Sequence, residues 1–495
     1  MISFIKRRPY LLILGLILII GIFLRTFDLV GRAHFDHDSD LFSWIVKDII
    51  IDHHFRLIGQ LTSAPGIFIG PYFYYLLVPF FILFKMDPIA ASYLITIFGL
   101  LTLISYYFVF SKLFNNKVGL IVTLLYAVLL PNIDFDRRVV PSTPANLWTV
   151  WYFFTVLSIA RGNYNVLPLL GVLIGLIWHI HIALIPALIA IPVAFFVSGK
   201  LPTKKQVAYF IISLLLTSIP LLAFELRHHF SQTLSLIENF SSVHAGRVGI
   251  YKFFEVLDMI SKNTSALFLY PQSLPEKFRL LFTISLFLVG SIISLNNRLI
   301  TRRELLPLLF WIFGIIAFFT FSSSLISEYY FYNLGIIFFA LTGLTFYFIY
   351  ESSKLGKILV IMFLTLLTIK SIYFYTTSYI YHKGYLEKKA VVDFIQQDAN
   401  KMGFPCVGIS YITTPGENAG FRYLFYLNKA HLVHPSLDIP VYNIVIPEEL
   451  SKEVTQKFGH IGVIPPTTIP SKEIIEKSCQ TPDTNLTDSM FGYVD

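Results

Sequence analysis

The run PYLLILGLILIIGIFLRT at residues 9–26 is followed, after a short interval, by HFDHDSD at residues 34–40. The first run is apolar and long enough to cross a bilayer as a helix, which takes about 17–25 residues. The second run places three aspartates beside that helix, although ionisable groups are costly to keep near the hydrocarbon. We therefore expect a membrane protein that carries an acidic segment, His34–Asp40, at one membrane face.

The composition of the whole chain agrees with this expectation. Its 495 residues are 55% hydrophobic and 14% charged, whereas soluble domains carry about 25% charged residues. The mean hydropathy is +0.68. The sequence therefore predicts a polytopic membrane protein. The net charge of +8 does not indicate nucleic-acid binding, because the basic residues lie in short loops between apolar runs.

The lengths of the apolar runs predict about eleven transmembrane helices. The predicted spans are 9–26, 89–110, 118–132, 145–160, 165–180, 182–198, 206–224, 279–296, 304–321, 331–350 and 357–379. A further apolar run at 71–84 is too short to be counted and contains Pro79, so we interpret it as an interfacial or re-entrant helix. If it crossed the membrane, every later loop would change sides.

Basic residues set the predicted orientation, because Lys and Arg accumulate in cytoplasmic loops. Lys6, Arg7 and Arg8 place the N-terminus in the cytoplasm, and the later basic loops then fall on the same side. The alternative, that the first run is a signal peptide, lacks the expected small-residue cleavage site. A multi-pass protein of the plasma membrane is the resulting prediction.

The same topology predicts two domains. Residues 1–380 form a transmembrane domain with a first outer loop at 27–88 and a long outer loop at 225–278, and residues 381–495 form a small extracytoplasmic α/β domain. In that domain the pattern predicts helices at 391–397 and 421–427 and strands at 407–411, 441–446 and 461–464. Cys406 and Cys479 also lie there, and the sequence leaves open whether they form a disulfide or remain two buried thiols.

The acidic segment is the first candidate for chemistry. In an extended chain His34, Asp36, Asp38 and Asp40 share one face, because side chains alternate with period two. Clustered carboxylates raise one another's pKa, which suits a general base that takes a proton from a hydroxyl. The alternative is that Asp38 or Ser39 only caps the following helix. Three aspartates in five residues exceed what a cap needs, so Asp38, with Asp36 and Asp40, is predicted to be catalytic.

Several polar residues at predicted outer helix ends are candidates for binding a phosphate or substrate. Arg137 and Arg138 can hold phosphate oxygens by bidentate hydrogen bonds, and Asp134 and Asp136 beside them could instead join the acidic segment around a divalent cation. The other candidates, each with a structural role as the alternative, are His181, Arg227, Tyr330 and Lys370. Lys370 lies within a predicted span, where a charge indicates either function or a side chain that extends to the interface.

The order of these features resembles the bacterial glycosyltransferases that are similar to the dolichyl-phosphate-mannose protein mannosyltransferases, within the GT-C superfamily. The order is one span, the acidic segment, GPYFYYL at 70–76, two spans, a short outer loop with arginine, a histidine at an outer helix end, and FELRHHF at 224–230. The resemblance covers roughly residues 9–350, and the C-terminal domain matches only in its placement.

The resemblance implies specific roles. Asp38 matches the presumed catalytic base of these enzymes, but Ser39 stands where they often have Glu, so a second acidic role falls to Asp36 or Asp40. Arg137 or Arg138 matches the arginine of a Tyr-Ser-Arg-like triplet, and His179–His181 stands in place of a Gln-x-His motif. The related oligosaccharyltransferases have paired aspartates similar to Asp134 and Asp136, and they use a divalent cation.

We therefore expect an inverting glycosyltransferase that moves a sugar from a polyprenyl-phosphate carrier to a hydroxyl of a glycan, lipid or protein at the outer membrane face. Asp38 is the expected base, membrane lipids are expected partners, and no cofactor is expected to be required, although a divalent cation stays open. A transporter or flippase of lipid-linked sugars is the alternative, and a non-catalytic assembly factor is a third. Transporters usually carry repeats and polar residues near the midplane, whereas here the polar residues gather at helix ends.

Overall fold

The computed structural model describes residues 9–62, 65–241, 248–322, 325–378 and 382–487. The basic residues Lys6, Arg7 and Arg8, which set the predicted orientation, lie outside the described residues. The described chain is mainly helical and has one small sheet close to its C-terminal end. This confirms the predicted class, an all-α polytopic membrane protein with a small α/β domain.

The helices that precede the α/β domain follow the apolar runs. In chain order they are α1 Pro9–Thr26, α2 His37–Ile50, α3 Tyr72–Leu83, α4 Ala90–Leu113, α5 Asn116–Val128, α6 Leu130–Phe135, α7 Ala145–Ala160, α8 Leu167–Ile180, α9 Ala190–Ser198, α10 Lys204–Thr217, α11 Ile219–Arg227, α12 Ser231–Ser241, α13 Ile250–Leu269, α14 Glu276–Asn296, α15 Arg302–Phe321, α16 Gly335–Ser352 and α17 Lys354–Thr377. Short 3₁₀ helices occur at Tyr164–Val166, Ile182–Ile189 and Glu328–Leu334.

Each of the eleven predicted spans coincides with one of these helices or helix pairs. Among the described residues, five spans are long and apolar enough to cross a bilayer, namely α4, α14, α15, α16 with its preceding 3₁₀ turn, and α17. A sixth is formed by α10 and α11 together, which bend by 63° where they meet. The remaining predicted spans form shorter apolar helices, two of them together with an adjoining 3₁₀ helix, as does the run at 71–84, which is α3.

A buried ion pair joins α1 to the turn after α6. The Arg25 guanidinium lies 2.7 Å from the Asp136 carboxylate, and neither side chain is more than 2% exposed. The Tyr126 hydroxyl donates to the same carboxylate across 2.7 Å. Buried charges of this kind are retained only when they are paired and hydrogen-bonded. Asp136 therefore has a structural role inside the helix bundle.

The α/β domain comprises α18 Tyr385–Met402, β1 Gly408–Thr413, α19 Arg422–Leu427, β2 Val441–Ile446, a 3₁₀ turn Glu448–Leu450, β3 Gln456–Phe458, β4 Ile461–Ile464, α20 Lys472–Ser478 and α21 Thr484–Thr487. The sheet order is β1-β2-β4-β3, with β1 and β2 parallel and the other pairs antiparallel. The sequence missed β3, because its three residues are mostly exposed and carry no apolar alternation. A disulfide joins Cys406 and Cys479, so the alternative of two free thiols is wrong.

Candidate functional site

The acidic segment is not an extended strand. Helix α2 begins at His37, and the Asp36 carboxylate caps it by accepting a hydrogen bond from the Ser39 backbone N–H across 3.1 Å. The prediction that the aspartates share one face is therefore wrong, and so is the alternative that Asp38 or Ser39 is the cap. Because an α-helix turns once in 3.6 residues, Asp38 and Asp40 point to different sides of α2.

Asp38 lies on the side of α2 that faces the rest of the first loop. Its Oδ1 is 3.5 Å from the side-chain nitrogen of Gln60, and Gln60 is held by the Tyr74 hydroxyl, which accepts from its backbone N–H across 3.1 Å. Burial raises the pKa of Asp38, and the neighbouring Asp36 carboxylate raises it further. A partly desolvated carboxylate with one long hydrogen-bond contact is chemically suited to accept a proton.

Asp40 has a different environment. Its side chain is 2% exposed, and its Oδ1 accepts a hydrogen bond from the Tyr423 backbone N–H across 3.0 Å. Burial raises the pKa of Asp40 to about 6. Asp40 thus links α2 to the α/β domain, and its enclosed carboxylate is a poor candidate for contact with a substrate.

A cavity of about 640 Å³ has His34 of the acidic segment in its lining. Three basic side chains line it, each close to an acidic partner: Arg138 lies 3.0 Å from Asp134, Arg279 lies 3.8 Å from Asp258, and Lys262 pairs with Glu328. Apart from these and their partners Asp134 and Glu328, the polar side chains of its lining are His34, Tyr106, Asn132, Asn146, Thr149, Asn263, Thr264, Ser265, Tyr270, Gln272, Ser273, Tyr332, Tyr375 and Ser378.

His34 connects the cavity to the acidic segment. It lines the cavity, and it interacts electrostatically with Asp134 and Arg138 on one side and with Asp36 on the other. Burial lowers the pKa of His34, whereas the two carboxylates act in the opposite direction. The first residue of the acidic segment is thus within electrostatic range of both the helix-capping carboxylate and the Asp134–Arg138 pair of the cavity.

The structure separates the two candidate arginines. Arg137 is 8% exposed and donates to the backbone carbonyl oxygens of Arg25, Phe27 and Asp28 across 2.9–3.1 Å. These are carbonyls at the end of α1, where the last turn of a helix lacks internal partners. Arg138, in contrast, is half exposed and lines the cavity. Only Arg138 of this pair is therefore placed to meet a ligand there.

His181 and Tyr330 lie together, outside the lining of the cavity. The His181 Nδ1 accepts from the Ala183 backbone N–H across 3.0 Å, and its Nε2 is 3.4 Å from the Tyr329 hydroxyl. The rings of His181 and Tyr330 are 5.0 Å apart. Asp38 interacts electrostatically with Tyr329, so this aromatic group adjoins the Asp38 side of α2.

Lys370 is connected to the cavity, but Arg227 is not. The Lys370 ammonium donates to the side-chain oxygen of Gln272 across 2.9 Å, and Gln272 lines the cavity. Arg227 is exposed and is absent from that lining. In the same motif the buried charged residue is Glu225, whose carboxylate accepts from the backbone N–H groups of Gln232 and Thr233 across 3.1 Å.

Sequence reasoning missed Lys262 and Arg279. Both lie in or beside the predicted outer loop at 225–278, where the positive-inside rule disfavours basic residues. That trend did not single them out, because the loop also contains Arg227, Arg247, Lys252 and Lys277.

Asp136 does not join the acidic segment, since Arg25 and Tyr126 occupy its carboxylate. The sequence left open a divalent-cation site formed by Asp134, Asp136 and the aspartates of the acidic segment. Asp136 is not available as a ligand of such a site. Within the described ranges, the carboxylate and imidazole atoms close enough to share a cation are those of Glu448, Glu449 and His460, in the α/β domain.

An apolar groove of about 320 Å³ lies on another face of α7. Trp148 and Trp151 contribute to the groove, whereas Asn146 and Thr149 of the same helix contribute to the cavity. Its dimensions and lining suit a hydrocarbon chain.

No family model matches the sequence, and no curated protein matches it either. Two crystal structures of ArnT from Cupriavidus metallidurans, one bound to undecaprenyl phosphate and one in the apo state, resemble the chain with TM-scores of 0.59 and 0.58. Both are 11% identical to it; they cover 92% and 93% of this chain, which covers 98% of each. An Archaeoglobus fulgidus oligosaccharyltransferase in complex with Zn and sulfate gives a TM-score of 0.46 at 11% identity, over 86% of this chain and 62% of the other. The chain therefore has the same fold as the two ArnT structures.

Proposed function

We propose that this protein is a membrane glycosyltransferase that moves a sugar from a polyprenyl-phosphate carrier to an acceptor hydroxyl. The observation that carries the proposal is the cavity of a membrane protein that is lined by three basic side chains and by His34, the first residue of the acidic segment. The shared fold supports it, because the ArnT structure contains undecaprenyl phosphate.

The donor phosphate is assigned to the cavity. Arg138, Lys262 and Arg279 offer charge-assisted hydrogen bonds to its oxygens, and Lys370 supports the site through Gln272. A phosphate that enters can replace the acidic partners that these cations now have. The apolar groove is available for a lipid chain.

Asp38 is assigned as the general base. It removes the proton from the acceptor hydroxyl, whose oxygen then attacks the anomeric carbon. The bond between that carbon and the phosphate oxygen breaks, and the electron pair leaves with the polyprenyl phosphate, so one displacement inverts the anomeric centre. The gain in rate comes from positioning and from stabilising the charge of the leaving group.

The neighbours of Asp38 have supporting roles. Asp36 caps α2 and raises the pKa of Asp38. His181 and Tyr330, beside Tyr329, contact the sugar or the acceptor. Asp40, although one of the three aspartates, holds the fold and does not exchange protons with substrate.

The deciding experiment uses the purified protein in lipid nanodiscs with polyprenyl-phosphate sugars and candidate glycan, lipid and protein acceptors. Release of polyprenyl phosphate together with a glycosylated acceptor supports the proposal. Movement of intact lipid-linked sugar across liposomes without its cleavage would favour the flippase instead. Absence of both activities would leave the assembly-factor alternative.

We further propose a plasma-membrane location with a cytoplasmic N-terminus and an extracytoplasmic α/β domain. A cysteine placed at position 302 should then be labelled by a membrane-impermeant maleimide only after the cells are opened. Labelling of that cysteine from outside intact cells would reverse the orientation.

A further inference from the structure

The first loop and the α/β domain share their hydrophobic cores. Ala33 and Phe35, at the start of the acidic segment, are buried in the core of the α/β domain. Conversely, Tyr423 of the α/β domain is buried in the core formed by α2, α3 and the start of α4, where its ring is 5.6 Å from that of Trp44. The two parts therefore pack by exchanging side chains, and neither core is complete without the other.

Hydrogen bonds fix the same contact on both sides of the acidic segment. On its N-terminal side, the Tyr385 backbone N–H donates to the Ala33 carbonyl oxygen across 3.0 Å. On its C-terminal side, the Tyr423 backbone N–H donates to Asp40 across 3.0 Å. The α/β domain thus holds the two ends of a stretch that contains Asp36 and Asp38.

A buried lysine lies against the middle of that stretch. Lys388 of α18 is 4% exposed, and its ammonium donates to the Ala419 carbonyl oxygen across 2.7 Å. Asp36 and Asp40 both interact with it electrostatically. An ammonium group so buried is costly unless carboxylates lie nearby; of the carboxylates that stabilise it, Asp36 contributes the most, followed by Asp40 and Glu417.

Gly420 allows this approach. Its φ of +86° disfavours other residues, and an added Cβ would lie 2.7 Å from the Lys388 ammonium, 3.0 Å from the Phe35 carbonyl oxygen and 3.4 Å from that of Asp36. The backbone of the α/β domain therefore touches the acidic segment at the residue that caps α2.

We propose that the α/β domain is part of the transfer machinery, with Lys388 as a positioning residue that holds Asp36, and through α2 the base Asp38, in their working positions. The proposal rests on the proposed function. Lys388 itself makes no contact with substrate in this proposal, because it acts on Asp36 and, through α2, on Asp38.

The test compares Lys388→Met with Lys388→Arg, and with Lys401→Met as the matched control on the exposed end of the same helix. Lys388→Met should lower kcat by tenfold to a hundredfold, as expected for a misplaced reacting group. The KM for the donor should change less than about twofold, because the cations of the cavity remain. Lys388→Arg, which keeps the charge, should recover most of kcat.

Hydrogen exchange of the backbone amides of residues 37–44, followed by mass spectrometry in nanodiscs, gives a readout without substrate. These amides should exchange faster in Lys388→Met than in the wild type or in Lys401→Met. If Lys388→Met does not yield monodisperse protein, Gly420→Ala, which keeps the lysine but places a Cβ 2.7 Å from its ammonium, should give the same two effects.

Two results would overturn the proposal: unchanged exchange of residues 37–44, or faster exchange with an unchanged kcat. A failure of the proposed function looks different. In that case the wild type transfers no sugar from any polyprenyl-phosphate donor, while the exchange measurement still reports whether Lys388 orders the acidic segment.

Discussion

Arg25 and Asp136, which are 111 residues apart in sequence, form an ion pair of 2.7 Å that is almost wholly buried within the helix bundle. Removing one member leaves the other as an uncompensated buried charge. We expect Arg25→Met to lower the free energy of unfolding by about 3–5 kcal/mol, measured as thermal unfolding in detergent. Lys117→Met, which removes an exposed pair with Glu351, should cost less than about 1 kcal/mol. Equal effects of the two substitutions would contradict the structural role of Asp136.

The two neighbouring arginines should respond differently. Arg138→Ala removes a cation from the cavity and should raise the KM for the donor by roughly tenfold to a hundredfold, the value of a hydrogen bond to a charged group. Asp134→Ala should have a smaller effect. Arg137→Ala should lower the unfolding temperature and leave KM unchanged, because Arg137 holds carbonyl oxygens at the end of α1. A raised KM in Arg137→Ala with normal stability would reverse this assignment.

Asp38→Asn keeps the shape of the side chain and removes its basicity, so kcat should fall by about 10²–10⁴. Asp52→Asn, which changes an exposed carboxylate paired with Lys47, is the control and should retain activity. Burial raises the pKa of Asp38. On acidification, Asp38 therefore takes up its proton at a higher pH than an ordinary aspartate, whose pKa is about 4. The kcat of the wild type should therefore decline on the acidic side from that higher pH. An acidic limb that persists unchanged in Asp38→Asn would assign it to another group.

We expect transfer to survive EDTA. Arg138 already lies beside Asp134, Asp136 is engaged by Arg25, and a monophosphate donor carries less charge than a pyrophosphate. The measurement is the initial rate before and after chelation. Activity that is lost with EDTA and restored by Mg²⁺ or Mn²⁺ would show a cation requirement and would indicate a pyrophosphate-linked donor.

Asp40 should make stability depend on pH. Its carboxyl holds a proton up to a pH of about 6 in the folded state but only to about 4 when unfolded. The folded state therefore binds more protons between these values, and the free energy of unfolding falls as the pH rises through them, by up to roughly 3 kcal/mol. Asp40→Asn, whose amide oxygen can still accept from Tyr423, should lack this component. Parallel unfolding-temperature profiles from pH 4 to 7 would refute it.

The sequence was informative wherever structure is local. Apolar runs located the helices, and strands β2 and β4 have the predicted bounds. The burial and the partners of individual charged residues, in contrast, depend on segments that are distant in sequence. Arg137 and Arg138 are neighbouring arginines that the sequence pattern does not distinguish. They differ only because the end of α1 packs against Arg137 and accepts its hydrogen bonds. Likewise, the partner of Asp40 is 383 residues away, a separation that no periodicity can reveal.

The long sequence separation between Asp40 and Tyr423 has a consequence during synthesis, because the two segments emerge from the ribosome at different times. The acidic segment leaves the ribosome early, whereas Tyr385, Lys388 and Tyr423 follow only after all the predicted spans. Until then Phe35 lacks the core in which it is buried, and Asp40 lacks its backbone donor. A nascent chain shortened before residue 385 would therefore contain Asp38 and every cation of the cavity, yet its acidic segment would lack the packing that orders it. In the cell, completion of the chain would thus also act as a check on the activity of unfinished copies in the membrane.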